Sequence, residues 1–243
     1  EMDEAPMLFI GEEVGAGGEE VDIAVDPLEG TNLVAKGLPG SIAVLAIAPR
    51  GTLLHAPDMY IDKIAVGPKA AGKIDIDAPV KENLKAVAGA LARRVEDLVV
   101  VILDRPRHAG IIKDVRDAGA RIKLISDGDV SPAINAAIEG TGVHMLLGIG
   151  GAPEGVIAAA ALKCLGGDMQ AKLWPENDAE VARAKEMGIA DVNKVLTLDD
   201  LVRSDDIIFS STAITEGDLL KGVKYFGGGA RTHTLVMRGK TGT

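Results

Sequence analysis

The spacing of apolar residues changes once along this chain, near residue 80. Before it, apolar and polar positions alternate with the two-residue period of a half-buried strand, at residues 41–48, 52–56 and 63–66. Pro49-Arg50-Gly51 and Ala56-Pro57-Asp58 separate these runs and read as turns. A short apolar run at 7–10 and a further strand at 21–25 precede them, divided by a Gly- and Glu-rich loop at 11–20. This part predicts a largely antiparallel sheet. From Val80 the apolar residues fall instead at helical spacing, through Leu84, Val87, Leu91 and Val95, predicting a helix over 80–94.

Strands and helices then alternate. Strands are predicted at 98–103, 122–125 and 145–149, and helices at 109–118, 132–138 and 155–165. Such alternation implies a parallel sheet covered on its faces. A short helix at 180–187 and strands at 207–209 and 234–237 complete the pattern, while the segment around Met169 and Trp174 gives no clear reading. The expected fold is α/β, with an α+β sheet portion over 1–79 and an α/β portion over 80–243. The join falls in the Gly-, Lys- and Asp-rich stretch 68–79.

Composition narrows the functional classes. A chain of 243 residues can bury a sizeable core, and with one Trp, two Tyr and three Phe that core must come from aliphatic residues. The net charge of −10 and the scarcity of aromatics argue against a nucleic-acid partner, which selects for basic stripes and stacking rings. No apolar run approaches the roughly 20 residues that span a bilayer, so no membrane is expected. Cys164 has no partner for an internal disulfide, and a reducing cytoplasm fits. Neither end reads as a natural terminus, and the chain is expected to continue on both sides.

The most informative stretch is Val25-Asp26-Pro27-Leu28-Glu29-Gly30-Thr31. Two carboxylates follow a strand around a proline turn, with a bare backbone and a hydroxyl directly after. Hard cations such as Mg²⁺ or Mn²⁺ take oxygen ligands, and Gly30 lets N–H groups approach a phosphate. An ordinary Asp-Pro turn with a helix-capping acid has the same residues.

Ligands of a parallel sheet bind outside the carboxyl ends of its strands, and three such ends carry unusual chemistry. One runs into Asp104-Arg105-Pro106-Arg107, whose arginine forks match phosphate oxygens. The second runs into Asp127-Gly128-Asp129, able to accept bonds from vicinal sugar hydroxyls, or to make a turn in which Asp129 caps the next helix. The third is Gly150-Gly151-Ala152-Pro153-Glu154, an anion-friendly turn into a helix, with Glu154 either a metal ligand or a helix-dipole partner. All three loops are predicted to lie on one edge.

Taken in order, these motifs resemble the class II fructose-1,6-bisphosphatases of the lithium-sensitive, inositol-monophosphatase-like superfamily. The matching pieces include Asp3-Glu4-Ala5-Pro6-Met7, Ile10-Gly11-Glu12-Glu13, Asp26-Pro27-Leu28-Glu29-Gly30-Thr31, Ala56-Pro57-Asp58-Met59-Tyr60, Pro106-Arg107-His108, Asp127-Gly128-Asp129-Val130 and Gly148-Ile149-Gly150-Gly151-Ala152-Pro153-Glu154-Gly155. The resemblance implies a layered α/β/α/β/α sandwich, Mn²⁺ or Mg²⁺ as cofactor, and a homo-oligomer, dimer or tetramer.

By position it implies Asp26, Glu29 and Glu154 as metal ligands. Asp3 and Thr31 would activate the attacking water. Glu29, Gly30, Thr31, Tyr60, Arg105, Pro106, Arg107, Asp127, Gly128, Asp129 and Gly151 would bind the sugar bisphosphate. The sequence departs from the family at Arg105, where lysine is expected in some members. It also lacks two upstream acids that complete the family's metal site. Glu12 and Glu13 resemble a ligand motif of inositol monophosphatases and are weaker candidates.

The implied reaction is hydrolysis of the 1-phosphate of fructose 1,6-bisphosphate, with backbone donors after Gly30 assisting. Sedoheptulose 1,7-bisphosphate or an inositol phosphate is the alternative substrate, and a non-catalytic sugar-phosphate binding protein is the alternative class.

Overall fold

The computed structural model describes residues 11–242. Asp3 and the apolar run at 7–10 lie outside them. The first half of the described chain carries β1 (Val21–Glu29), α1 (Thr31–Ala35), β2 (Ile42–Pro49), β3 (Tyr60–Val66), α2 (Val80–Ala90), β4 (Val99–Leu103), α3 (Ala109–Asp117) and β5 (Arg121–Ile125). Then come α4 (Val130–Ala137), β6 (Met145–Gly151), α5 (Ala152–Cys164), β7 (Asp168–Trp174), α6 (Asp178–Glu186), β8 (Leu196–Thr197) and α7 (Leu198–Leu201). Four strands close the chain: β9 (Ile208–Ala213), β10 (Lys224–Phe226), β11 (Gly229–Arg231) and β12 (Thr234–Arg238).

Two large sheets result. An antiparallel one has the order β1-β2-β9-β12, and a mixed one has the order β5-β4-β6-β3-β7-β8. In the mixed sheet β4 runs parallel to β5 and β6, and β3 runs antiparallel to both of its neighbours, β6 and β7. The fold is α/β, as its alternating pattern predicts. The all-parallel expectation for the second sheet is corrected by β3, which lies at its centre rather than in the first sheet. The sheets do not divide at residue 79: β3 joins the second sheet, while β9 and β12 return to the first. The predicted strand at 52–56 amounts to a single bridge from Leu53 to Val202.

The inner faces of the two sheets pack on α4 and α5. Ile42, Val44, Ala46 and Phe209 from one side and Ile61, Ala65 and Leu146 from the other join one aliphatic core with the buried stretch Ala158–Leu162 of α5. A second core lies between the other face of the mixed sheet and α2 and α3, built on Ile64, Leu84, Val100, Val115 and Met145. The layering is therefore sheet, helix, sheet, helix. The outward face of the antiparallel sheet keeps Ile23, Val25, Ile208 and Val236 exposed, and the outermost helical layer of the expected sandwich is not among the described elements. No described helix is long and apolar enough to cross a membrane.

The predicted helix over 80–94 stops at Ala90. Ala92 adopts a left-handed conformation, and the Arg93 N–H closes back on the Ala88 carbonyl at 2.9 Å, which ends the helix despite the apolar spacing that continues beyond it.

Candidate active site

The site begins with a bulge in β1. Asp26 pairs with Val44 and Glu29 with Ile42, so three residues of β1 advance against two of β2. Val44 and Ile42 face the core. The extra residue therefore turns Asp26 and Glu29 to the same inner face, where unbroken alternation would have sent Glu29 outward. The Pro27-Leu28 turn is what makes the bulge, and the Leu28 N–H donates to Asp26 Oδ1 at 2.9 Å. Gly30 follows at φ +80°, a left-handed turn that frees α1 to start.

The mixed sheet supplies the facing edge. Because β4, β5 and β6 are parallel, their carboxyl ends coincide, and because β3 is antiparallel its first residue, Tyr60, lies at that same edge opposite Gly151. The three loops are tied to one another as expected. Arg105 Nη1 donates to the Ser126 carbonyl at 2.7 Å, and Arg107 Nη2 to the Ile149 carbonyl at 3.0 Å. The Arg107 guanidinium also lies 4.4 Å from the centre of the Tyr60 ring, a cation–π contact that orients its fork. Pro106 opens a short 3-10 turn between the arginines.

His108 completes the bracing. It is fully buried, with Nδ1 2.7 Å from the Leu103 carbonyl and Nε2 accepting from the Ile149 N–H at 2.7 Å. Burial holds it below its ordinary pKa, so it is a neutral strut between β4 and β6. Nothing in its sequence position predicts that.

The Asp-Gly-Asp loop joins the two sheets. The Asn32 N–H donates to Asp127 Oδ2 at 3.0 Å, and Arg105 approaches Asp127 Oδ1 at 3.5 Å. The N–H groups of Asp129 and Val130 both donate to Glu29 Oε1, at 2.9 and 3.1 Å. Two readings change here. Asp129 precedes α4 but makes no side-chain cap; its Oδ2 instead lies 2.7 Å from Lys63 Nζ, with the two side chains only 6% and 1% exposed. Also, α1 has five residues and its Asn32 N–H is already given to Asp127, so that donor is not left for a phosphoryl oxygen.

Lys63 was not a candidate from the sequence, where it reads as one polar residue in a strand. A buried charge is costly unless paired, and losing one member of such a pair costs about 3–5 kcal/mol.

Glu154 lies in the first turn of α5, after Gly151 and Pro153. A Cβ on Gly151 would fall 1.8 Å from Glu154 Oε2, so the bare backbone there accommodates the carboxylate where it lies over the loop. Among the described residues, Oε2 is buried and has no hydrogen-bond partner. Burial, then the charges of Asp129 and Asp26, push the Glu154 carboxyl above its ordinary range, against the pull of Lys63. Burial lifts Glu29 further, with Asp129, Asp26 and Glu154 adding to it and the Val130 N–H opposing.

Four acids thus repel one another in a desolvated corner, which is the unmet demand that a divalent cation answers. Their oxygen-only donor set suits a hard ion. The described residues do not close a group of three or more metal-holding side chains, so the acids fit in kind and fall short in number. Glu13 is no substitute: it is exposed and lies 3.7 Å from Arg50. Thr31 is exposed at the start of α1, while Asp3 falls outside the described residues. Gly128 lies beside Gly30, where a Cβ would come 3.5 Å from the Gly30 Cα.

The raised acids make a pH prediction. A carboxyl whose folded pKa exceeds its unfolded one favours the fold below the ordinary value of 4.5, and that contribution is lost as pH rises through the raised value. The rise in melting temperature on adding Mg²⁺ or Mn²⁺ to chelator-treated protein should be larger at about pH 8 than at about pH 5. Thermal scans across pH check this. An increment that is flat with pH would mean that Glu29 and Glu154 do not face the ion.

Comparison with known proteins identifies the family. The family model described as bacterial fructose-1,6-bisphosphatase, glpX-encoded, matches residues 1–243. A protein of Synechococcus sp. (strain JA-2-3B'a(2-13)) named D-fructose 1,6-bisphosphatase class 2/sedoheptulose 1,7-bisphosphatase is 51% identical, over 99% of this chain and 77% of its own. One of the same name from Crocosphaera subtropica (strain ATCC 51142 / BH68) is 50% identical, over 100% of this chain and 78% of its own. With a match along its whole length and half of its residues shared with such relatives, the chain belongs to the class II fructose-1,6-bisphosphatase family.

Proposed function

We propose that this protein removes the 1-phosphate of fructose 1,6-bisphosphate, giving fructose 6-phosphate and phosphate, with Mg²⁺ or Mn²⁺ bound. The observation that carries the reading is the β1 bulge, which turns Asp26 and Glu29 inward onto the side where Glu154 begins α5. Asp26, Glu29 and Glu154 would hold the ion, together with acids that family members carry upstream. Once bound, the ion polarises the phosphoryl group and lowers the pKa of a water.

The chain's own groups do the rest. Thr31 holds the attacking water in line, and Asp3 is the residue assigned to help activate it. Arg105 and Arg107 grip the distal phosphate, so that remote binding energy positions the reacting one. Gly30, Gly128 and Gly151 present bare backbone to the substrate, Tyr60 and Pro106 shape the wall beside the arginines, and Asp127 accepts from a sugar hydroxyl, while the sugar contact expected of Asp129 gives way to its buried pairing with Lys63. A homo-oligomer in the cytoplasm belongs to this reading by family likeness.

The names of the relatives favour a second substrate, sedoheptulose 1,7-bisphosphate, for the same site. Phosphate release by the full-length protein from a panel of both bisphosphates and inositol phosphates tests the choice. Thr31→Ala should abolish release from the preferred one. Near-normal turnover in that variant would remove Thr31 from the mechanism.

A further inference from the structure

Lys63 stands on the central strand of the mixed sheet, on the face it shares with Ile61 and Ala65, deep in the aliphatic core. Its Nζ makes a close ionic contact with Asp129 that falls outside hydrogen-bond alignment, and it finds no hydrogen-bond partner among the described residues. Space for the pair comes from Gly150 on the neighbouring strand. A Cβ there would fall 2.1 Å from Asp129 Oδ2 and 2.8 Å from Lys63 Nζ.

The contact continues into the other sheet. Asp129 is held by its side chain, and its backbone N–H, with that of Val130, holds Glu29 Oε1. A line of contacts therefore runs from β3, through the Asp-Gly-Asp loop, to the bulged end of β1. The loop's remaining ties at Asp127 are with Asn32 and Arg105 and lie nearer the surface. The buried anchor is the one that fixes where the two N–H groups point.

We propose that Lys63 is a positioning residue for Glu29: by anchoring Asp129 it aims two backbone donors at one oxygen of Glu29 and leaves the other oxygen turned toward the cation. This inference rests on Glu29 being a metal ligand. Groups one contact away from a ligand set its orientation, and losing them weakens metal binding by roughly 10–100-fold.

Simple electrostatics predicts the opposite sign. Removing a cation from beside several acids would leave Mn²⁺ binding tighter, or unchanged if Asp129 took up a proton. The double change K63M/D129N removes both charges, keeps the net charge and leaves no unpaired buried ion, while Lys63→Met keeps the Asp129 charge, so weaker binding in Lys63→Met is positional.

The experiment titrates the full-length protein with Mn²⁺ and reads free Mn²⁺ by electron paramagnetic resonance, with Glu29→Gln as reference. Glu29→Gln should weaken binding, and both Lys63→Met and K63M/D129N should weaken it by roughly 10–100-fold at the same site. If Glu29→Gln weakens binding while K63M/D129N binds as the wild type does, the positioning role is overturned and the metal reading stands. Tighter binding in Lys63→Met, with no loss in the double variant, overturns it likewise in favour of charge alone. Wild-type affinity in Glu29→Gln removes the metal reading and this inference with it. The double variant carries the test if Lys63→Met does not fold.

Discussion

Asp26→Asn should lower phosphate release from fructose 1,6-bisphosphate by about 10³-fold or more, an effect near 4 kcal/mol in the barrier. The substitution is chosen because Asn keeps an oxygen to accept the Leu28 N–H that shapes the bulge. What it removes is the negative charge on the inner face of β1, facing the start of α5. Asp26 is half-buried and shares the corner with Glu29 and Glu154, whose pKa values it helps to raise. The fold should survive, so circular dichroism and melting temperature in the absence of metal should match the wild type. Initial rates at saturating substrate, over a series of Mn²⁺ concentrations, measure the effect. A variant that keeps about a tenth or more of wild-type turnover would show that Asp26 carries a turn and not the ion.

Arg107→Leu should lower kcat/KM for fructose 1,6-bisphosphate by about 10–100-fold, the loss expected when charge-assisted hydrogen bonds worth about 1.5–3 kcal/mol disappear. The informative comparison is fructose 1-phosphate, which has no distal phosphate. Its slow hydrolysis should be nearly the same in wild type and variant. The reason is geometric: the Arg107 fork is fixed by the Ile149 carbonyl and the Tyr60 ring at the edge where β3, β4 and β6 meet. A fork held in that way is pre-oriented for a planar pair of phosphate oxygens. An equal loss on both substrates would place Arg107 at the reacting phosphate, and no loss on either would make it a structural strut.

Much of this site is legible in the sequence because its parts are local. The Asp26-to-Thr31 stretch, the arginine loop, the Asp-Gly-Asp loop and the glycine turn into α5 each announce themselves within a few residues. Their meeting on one edge follows from the parallel run of β4, β5 and β6. What the sequence does not reveal depends on pairing at a distance. Strand β3 alternates like any other strand, and nothing in residues 60–66 says that it inserts antiparallel between β6 and β7.

Lys63 is hidden for the same reason. Its partner, Asp129, is 66 residues away and reads locally as a helix cap. Strand β7 does carry alternation, with Met169, Ala171 and Leu173 inward. Its polar outward face and two preceding glycines obscure it. The β10–β11 hairpin turns at Gly227-Gly228, a glycine pair between two short runs that is a hairpin signal, but its strands of three residues each are too short to show a period.

The layers tell a similar story from the packing side. An alanine-rich helix such as α5 has no polar face to reveal, since Ala158 to Leu162 are all buried between the two sheets. That burial is what lets the helix begin at the site, so the same residues that hide its orientation in the sequence place Glu154 where it stands.

The most direct test follows the two phosphorus resonances of fructose 1,6-bisphosphate by ³¹P NMR during incubation with the full-length protein. With Mn²⁺ or Mg²⁺ present, the 1-phosphate signal should convert to inorganic phosphate while the 6-phosphate signal persists as fructose 6-phosphate. Chelator should stop the conversion. Binding of the bisphosphate with no phosphate released in the presence of either metal, or release of the 6-phosphate first, would contradict the account.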